Sequence, residues 1–454
     1  MKNLASFVIF LLFVLLGCAP DYLDVKPNKA LVVPNQLHHF QALLDAASVA
    51  MNQGPGIQLT ATDEFYYPEE NIQDLPSVER NSYMWAENIF EGQGAYDWEY
   101  PYKAIFNANI VLDGLAKIKP GPSSQQEWDH IYGSALFYRA FSLYNLAEVF
   151  AAPYDQATAA QLPGIPVRLS MDVNEIAGRG TLKQTYDRII SDLTEAEKLL
   201  APKVSYINRP SGAAVKALLA RIYLSMHRYD KAFEMSSAFL RIYDQLLDYN
   251  SLDTTTYVPF PEPFLRTNPE VIYYYLVTPY SLTSSPLTNV DTLIYRSYQP
   301  DDLRKSCFFV SRGNHVFSFR GSYSGESTLF SGLLTDEIYL IRAECYARSK
   351  MTAQALSDLN TLLKARFKKG SFVALQATDQ TILDLVLTER RKELFARGLR
   401  WSDLRRLNKE TEHAVTLTRI VKGSRHNLPP NHNRYVFPIP DDEISLSGID
   451  QNPR

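Results

Sequence analysis

The chain has little cysteine, and none of its three cysteines falls in a CxxC or a Cys/His spacing. That removes the common zinc patterns and any dense disulfide framework. Motifs that announce chemistry are missing as well: there is no GxSxG elbow, no HExxH, no Walker A loop and no Rossmann fingerprint. His38-His39 is the sole adjacent histidine pair, and metal-binding histidines on a helix sit about one turn apart. The pair therefore reads as surface residues, and no metal or cofactor is expected. A formal net charge of −4 offers no electrostatic footprint for nucleic acid. No apolar run reaches the roughly 20 residues that a membrane-spanning helix needs. Glycosidases need only two well-placed carboxylates, so missing motifs leave that class open.

What is present begins at the amino terminus. Lys2 precedes an apolar run from Leu4 to Leu16, broken only by Ser6. A charged start, a short apolar middle and a small-residue exit describe a secretory signal. The exit, Leu15-Leu16-Gly17-Cys18, resembles the bacterial lipobox. Gly17 gives a peptidase access, and the Cys18 thiol can take acyl chains of the palmitate kind. Ala19-Pro20-Asp21 follow at once, so no membrane helix continues. Residues 1–17 are thus expected to be a lipoprotein signal peptide, with Cys18 as the lipid attachment. Several acyl chains anchor stably where one anchors weakly.

Helical periodicity marks the remainder. Leu136, Phe137, Ala140, Phe141, Tyr144 and Ala147 form a stripe within 134–150. Residues 181–200 read as a helix capped by Thr181, with Ile189, Ile190, Leu193 and Ala196 on its apolar face. Two later segments match each other. Ala220, Tyr223 and Ala232 recur at the same offsets as Ala343, Tyr346 and Ala355. Small residues let paired helices approach, and the tyrosine fills the groove between pairs, which is tetratricopeptide-like logic. The two units are not tandem. Insertions at about 52–100 and 248–330 are polar, aromatic and turn-rich, with β-like runs such as Val271 to Val277. Loops this long on a scaffold are functional or disordered, and their aromatic content argues against disorder. A disulfide between Cys307 and Cys345 is open but not favoured, because Cys345 lies on what reads as a buried helix face, where free cysteine is common.

The carboxyl-terminal part resembles a known family. Thr388 to Arg406, TERRKELFARGLRWSDLRR, is similar to the signature helix of the SusD/RagB proteins, surface lipoproteins of Bacteroidetes. Tyr435 to Glu443 followed by Gln451-Asn452-Pro453 looks like the family's ending, which normally closes on Gly and an aromatic residue; here Arg454 stands instead. Trp98, Tyr102, Ile105, Asn109, Arg139, Asn268, Asp302 and Asp336 lie in family-like pieces in the right order. Within the signature, Thr378 or Asp379 is placed to cap the helix and Gly398 to end it. Glu389 and Glu393 lie one turn apart, but the surrounding arginines suit an ion-pair network better than acid–base work.

The resemblance implies a mostly α fold of residues 18–454, in which tetratricopeptide-like helix pairs carry a loop-rich, minor-β ligand-binding region. It implies a nutrient-binding protein and not an enzyme. That protein would sit lipid-anchored at the cell surface on the outer membrane, and would pass a glycan to a SusC-like TonB-dependent transporter. A peptide-binding member of the same family, or a surface glycan-degrading enzyme, is the alternative. Sugar sites pair aromatic faces with amides, carboxylates or guanidinium groups. Two stretches offer that mixture: Asp63, Tyr66 and Tyr67 with Arg80, Tyr83 and Trp85, and Tyr280 with Tyr295, Arg296 and Tyr298. Trp98 and Tyr102 read as packing residues.

Overall fold

The computed structural model describes residues 34–46, 51–265 and 267–454; the expected signal segment and Cys18 lie outside them. Helix dominates, at 46% against 8% strand. The principal helices are α1 (Leu37–Leu44), α2 (Tyr96–Leu115), α3 (Gln125–Phe150), α4 (Leu182–Leu199), α5 (Gly212–Ser225) and α6 (Tyr229–Leu240). After a long insertion come α7 (Thr335–Arg348), α8 (Thr352–Lys364), α9 (Ile382–Glu393), α10 (Arg400–Leu407) and α11 (Asp441–Ser447).

Helix α4 starts where its sequence directs. The Thr181 hydroxyl accepts the Gln184 N–H while the Gln184 side chain accepts the Thr181 N–H, a reciprocal capping box. Helix α3 begins earlier than its apolar stripe. Its added turns are held by Trp128, which stacks on Tyr132 at 4.7 Å and donates to the Leu115 carbonyl.

From α2 to α8 each helix packs on the next. The matching units are α5–α6 and α7–α8. Ala220, Ala232, Ala343 and Ala355 are all fully buried at the helix contacts. Residues 241–334 separate the two units in sequence, yet α6 lies directly against α7. Tyr346 fills the seam, meeting Phe233 edge-on at 5.1 Å. The insertion therefore loops out of a continuous helical stack.

The strands are β1 (Gln53–Gly54), β2 (Phe65–Tyr66), β3 (Val271–Tyr273), β4 (Leu276–Val277), β5 (Asn289–Val290), β6 (Phe309–Ser311), β7 (Phe317–Phe319), β8 (Leu333–Leu334), β9 (Leu417–Val421) and β10 (Ser424–Leu428). The β-like run Val271 to Val277 is divided. Strand β3 pairs with β8, and β4 pairs with β1. Together β1–β4 and β2–β5 sew insertion 52–100 to insertion 248–330. Gly56 permits this seam, because a Cβ there would lie 2.1 Å from the Thr278 carbonyl oxygen. Gly56→Ala is expected to push the two backbones apart at a cost of about 1–3 kcal/mol, read as a lower urea midpoint.

The signature segment differs from its expected single helix. Helix α9 stops at Glu393, and the chain turns through Ala396 (φ 59°) and Gly398 (φ 72°) before α10. The turn is set by a distant partner: the Ala396 N–H donates to the buried Glu64 carboxyl at 2.8 Å. The cap differs too. Thr381 holds the N-cap position and its hydroxyl accepts the Thr378 N–H, while Asp379 accepts the Thr352 hydroxyl.

Glu389 and Glu393 sit in an interior ion-pair network. Fully buried Arg304 donates to Asp302 (2.6 Å), Glu389 (2.7 Å) and Glu393 (3.0 Å). Arg366, equally buried, bonds Glu393 (2.7 Å), Glu270 (2.6 Å) and the Leu247 carbonyl (2.8 Å). Arg406 grips Glu344 with two nitrogens (2.6 and 2.8 Å), joining α10 to α7. Cys307 and Cys345 are buried and unbridged, and burial pushes both thiols up to about 12. They are chemically quiet.

A candidate ligand-binding groove

The seam between the insertions supports a hairpin, β6–β7, that borders two neighbouring hollows. The first, of about 260 Å³, lies between the 283–288 turn, the hairpin and residues 322–329. The second, of about 420 Å³, shares Val310 and Arg320 with it and is lined by Tyr295, Lys305 and Lys368. The two hollows adjoin at Val310 and Arg320, as a candidate groove in the loop-rich region.

Its polar lining is positioned by backbone. Arg312 lies just past the end of β6 and donates to the Thr288 carbonyl (3.1 Å) and the Asn289 side chain. Arg320 follows β7 and donates to the carbonyls of Thr256 (2.9 Å), Thr254 (2.7 Å) and Ser306 (2.7 Å). Its Nε is buried without a partner. Ser284, Ser285, Thr283 and Thr288 add hydroxyls, and Tyr257, 79% exposed, offers a free ring.

Of the candidate residues from sequence, Tyr295 lines the second hollow, and Tyr66, Tyr67 and Arg296 lie nearby without lining either. Tyr66 is exposed at the end of β2. Partial burial raises its phenol, with the Arg312 charge acting downward and the Asp291 charge upward. Tyr295 is half-buried, stacked on Phe317 at 3.5 Å with the Lys305 ammonium 4.7 Å from its ring. Arg296 is exposed beside it. Tyr67 is buried, its hydroxyl 3.5 Å from Ser285 Oγ.

The others are placed elsewhere. Tyr83 and Trp85 are core residues beneath Arg419 of β9, whose guanidinium lies 3.6 and 4.5 Å from their ring centres. The Trp85 indole is spent on the Ala61 carbonyl (2.9 Å). Tyr298 is buried between Arg304 and Lys392 and donates to the Lys392 carbonyl (2.7 Å). Tyr280 donates to buried Asp97, and Arg80 to the Leu75 carbonyl (3.2 Å). Asp63 is held by Arg400 (2.7 Å) and Arg391 (2.9 Å). None of these side chains lines either hollow. Sequence reasoning missed Tyr257, Arg312, Arg320, Lys305 and Lys368. Only Tyr257, an aromatic inside the threonine- and proline-rich run 254–263, left a local signal.

A larger cavity, about 490 Å³, lies against α2, the 166–177 loop and α11. Trp98 and Tyr102 line it. Its buried polar groups are already used. Trp98 donates to Glu443 (3.1 Å), Tyr102 to the Pro166 carbonyl (2.9 Å), and Asn109 to the Arg168 and Ser170 carbonyls (both 3.1 Å). With Val173, Ile176 and Leu446 exposed on its border, it suits apolar contact better than a hydroxyl-rich ligand. Among the described residues no cluster fits a metal ion, and no helix is long and apolar enough to cross a membrane.

A stack of helix pairs that presents a polar, ring-bearing groove on inserted loops defines a helical-repeat scaffold protein. Comparison with known proteins makes the class specific. A family described as starch-binding associating with outer membrane matches residues 21–224, and the SusD family matches residues 335–454. The SusD-like protein P2 of Formosa agariphila is 22% identical, over 98% of this chain and 97% of that protein. A SusD superfamily structure from Bacteroides thetaiotaomicron superposes with a TM-score of 0.73 at 21% identity, covering 92% of this chain and 100% of that one. A structure described as a putative sugar binding protein from Bacteroides vulgatus gives 0.72 at 20%, covering 93% and 99%. The chain belongs to the SusD/RagB family, whose members are associated with the outer membrane.

Proposed function

We propose that this chain is a cell-surface lipoprotein that captures a glycan in the hairpin groove and hands it to a SusC-like TonB-dependent outer-membrane transporter. It binds without cleaving. The observation that carries this reading is the groove itself: hydroxyls, guanidinium groups and tyrosine rings converge where the two insertions are sewn together. Family membership supports the transporter as partner. The motif at Gly17-Cys18 supports acylation of Cys18. A tether of that kind holds the groove near its transporter, so that recapture becomes effectively intramolecular.

The test is a binding screen of the purified chain against glycans and peptides, with product analysis. Glycan binding without turnover is the expected result. Binding of peptides alone would replace the ligand class, and turnover lost on replacing one carboxylate would make the protein an enzyme. Cys18→Ser is expected to move the protein from the membrane to the soluble fraction, read by fractionation and immunoblot. A transporter barrel is expected to co-purify with the wild type from native membranes.

A further inference from the structure

The groove's charge narrows its ligand. Arg312 and Arg320 line the first hollow, and among the described residues neither has a carboxylate within ion-pair distance. Arg320 spends its donors on carbonyls, which leave its positive charge uncompensated. Glu326 is the single carboxylate in that lining. The second hollow adds Lys305 and Lys368. Its own carboxylate, Asp302, is buried and bound by Arg304 (2.6 Å). Lys368 pairs with Asp301 at 3.0 Å, but both are at least half exposed, so that pair is screened and exchangeable. The groove is therefore cationic on a chain whose net charge is −4. Excess cation in a concavity raises the local concentration of anions, and charge-assisted hydrogen bonds to them are stronger than neutral ones. Arg312, anchored through one nitrogen, keeps its remaining N–H donors for a ligand.

We infer that the groove selects an anionic saccharide, one carrying carboxylates or sulfate esters, with an acidic group set against Arg312 and Arg320. This rests on the glycan reading above and specifies its substrate class. Tyr257 in the first hollow and Tyr295 in the second supply ring faces for the sugar, and the serines and threonines of 283–288 supply partners for its hydroxyls.

The experiment is calorimetric titration of the chain with hexagalacturonate, sulfated maltohexaose and maltohexaose, at low and at high sodium chloride. At least one anionic ligand is expected to bind about tenfold or more tightly than maltohexaose, a difference of about 1.4 kcal/mol. That preference should shrink as salt screens the charges. Arg312→Gln, an exposed site whose loss should leave the urea midpoint unchanged, is expected to lower anionic affinity about tenfold and maltohexaose affinity far less. The two anionic ligands distinguish carboxylate from sulfate. If maltohexaose binds as tightly as both of them, or if Arg312→Gln weakens all three alike, the inference is overturned while the glycan reading stands. Binding of none of the three, with peptides bound instead, overturns both.

Discussion

Glu393→Ala is expected to destabilise the protein by about 3–5 kcal/mol, the usual cost of removing one partner from a buried ion pair. Glu393 is fully buried and receives both Arg304 and Arg366. Its loss leaves each guanidinium with one fewer counter-charge and no water to replace it. Arg304 belongs to the 248–330 insertion and Arg366 follows α8, so the carboxylate fastens the loop-rich region to the scaffold. Urea unfolding checks this: the midpoint should fall while the slope stays that of the wild type. Asp187→Ala is the contrast. Its pair with Lys183 (2.6 Å) is exposed on both sides, and its loss should stay within about 0.5 kcal/mol. Equal losses at the two sites would contradict a network whose worth lies in its burial.

That contrast explains what the sequence could disclose. The capping box at Thr181 was legible because its two partners lie three residues apart. The helix pairs were legible because Ala220 and Ala343, or Tyr223 and Tyr346, repeat at fixed offsets. Their direct stacking was not, since residues 241–334 intervene and no periodicity spans such an insertion. The break in the signature segment was hidden for the same reason. Ala396 leaves the helix because of Glu64, over three hundred residues away, and nothing local to Ala396 announces it. Tyr83 and Trp85 had the composition of a sugar site, yet Arg419 from the far end of the chain clamps them inside. Tyr295, Arg296 and Tyr298 sit on or just after a short helix, Thr292–Ser297. Its turn sends Arg296 outward and leaves Tyr298 in the core, a division that composition alone does not make. Three cations of the groove come from the stretch 305–320 and one, Lys368, from beyond α8, and they become a cluster only when the hairpin forms.

Asp63 and Glu64, adjacent at the start of β2, are expected to pull the pH dependence of stability in opposite directions. Burial is the largest influence on both. For Asp63 the guanidinium groups of Arg400 and Arg391 outweigh it and hold the carboxyl well below the usual range. For Glu64 no cation touches the carboxyl; burial prevails and, with Asp63 adding to it, pushes it up to about 7 from 4.5. A depressed carboxylate contributes stability above its unfolded pKa of 3.8, and that contribution is lost as pH falls through the folded value. Asp63→Asn should therefore be less stable than wild type at neutral pH, by about 1.5–3 kcal/mol for a charged hydrogen-bonding partner. The gap should close in acid. A raised carboxyl acts the other way. The folded state binds a proton that the unfolded state has released, so stability falls as pH rises from about 4.5 to about 7. Glu64→Gln keeps an acceptor for the Ala396 N–H and has Thr62 Oγ1, 3.5 Å from the second carboxyl oxygen, as partner for its amide. It should match wild type near pH 4 and exceed it at pH 8 by roughly 3 kcal/mol, the worth of that shift at about 1.4 kcal/mol per unit. From pH 4 to pH 8 the urea midpoint of Glu64→Gln should rise progressively above the wild type, while that of Asp63→Asn should lie below it by a constant amount that closes only below pH 4. A Glu64→Gln curve that tracks the wild type over that range, or an Asp63→Asn curve that superposes on it, would mean that β2 is not held to the signature segment through these two carboxyls.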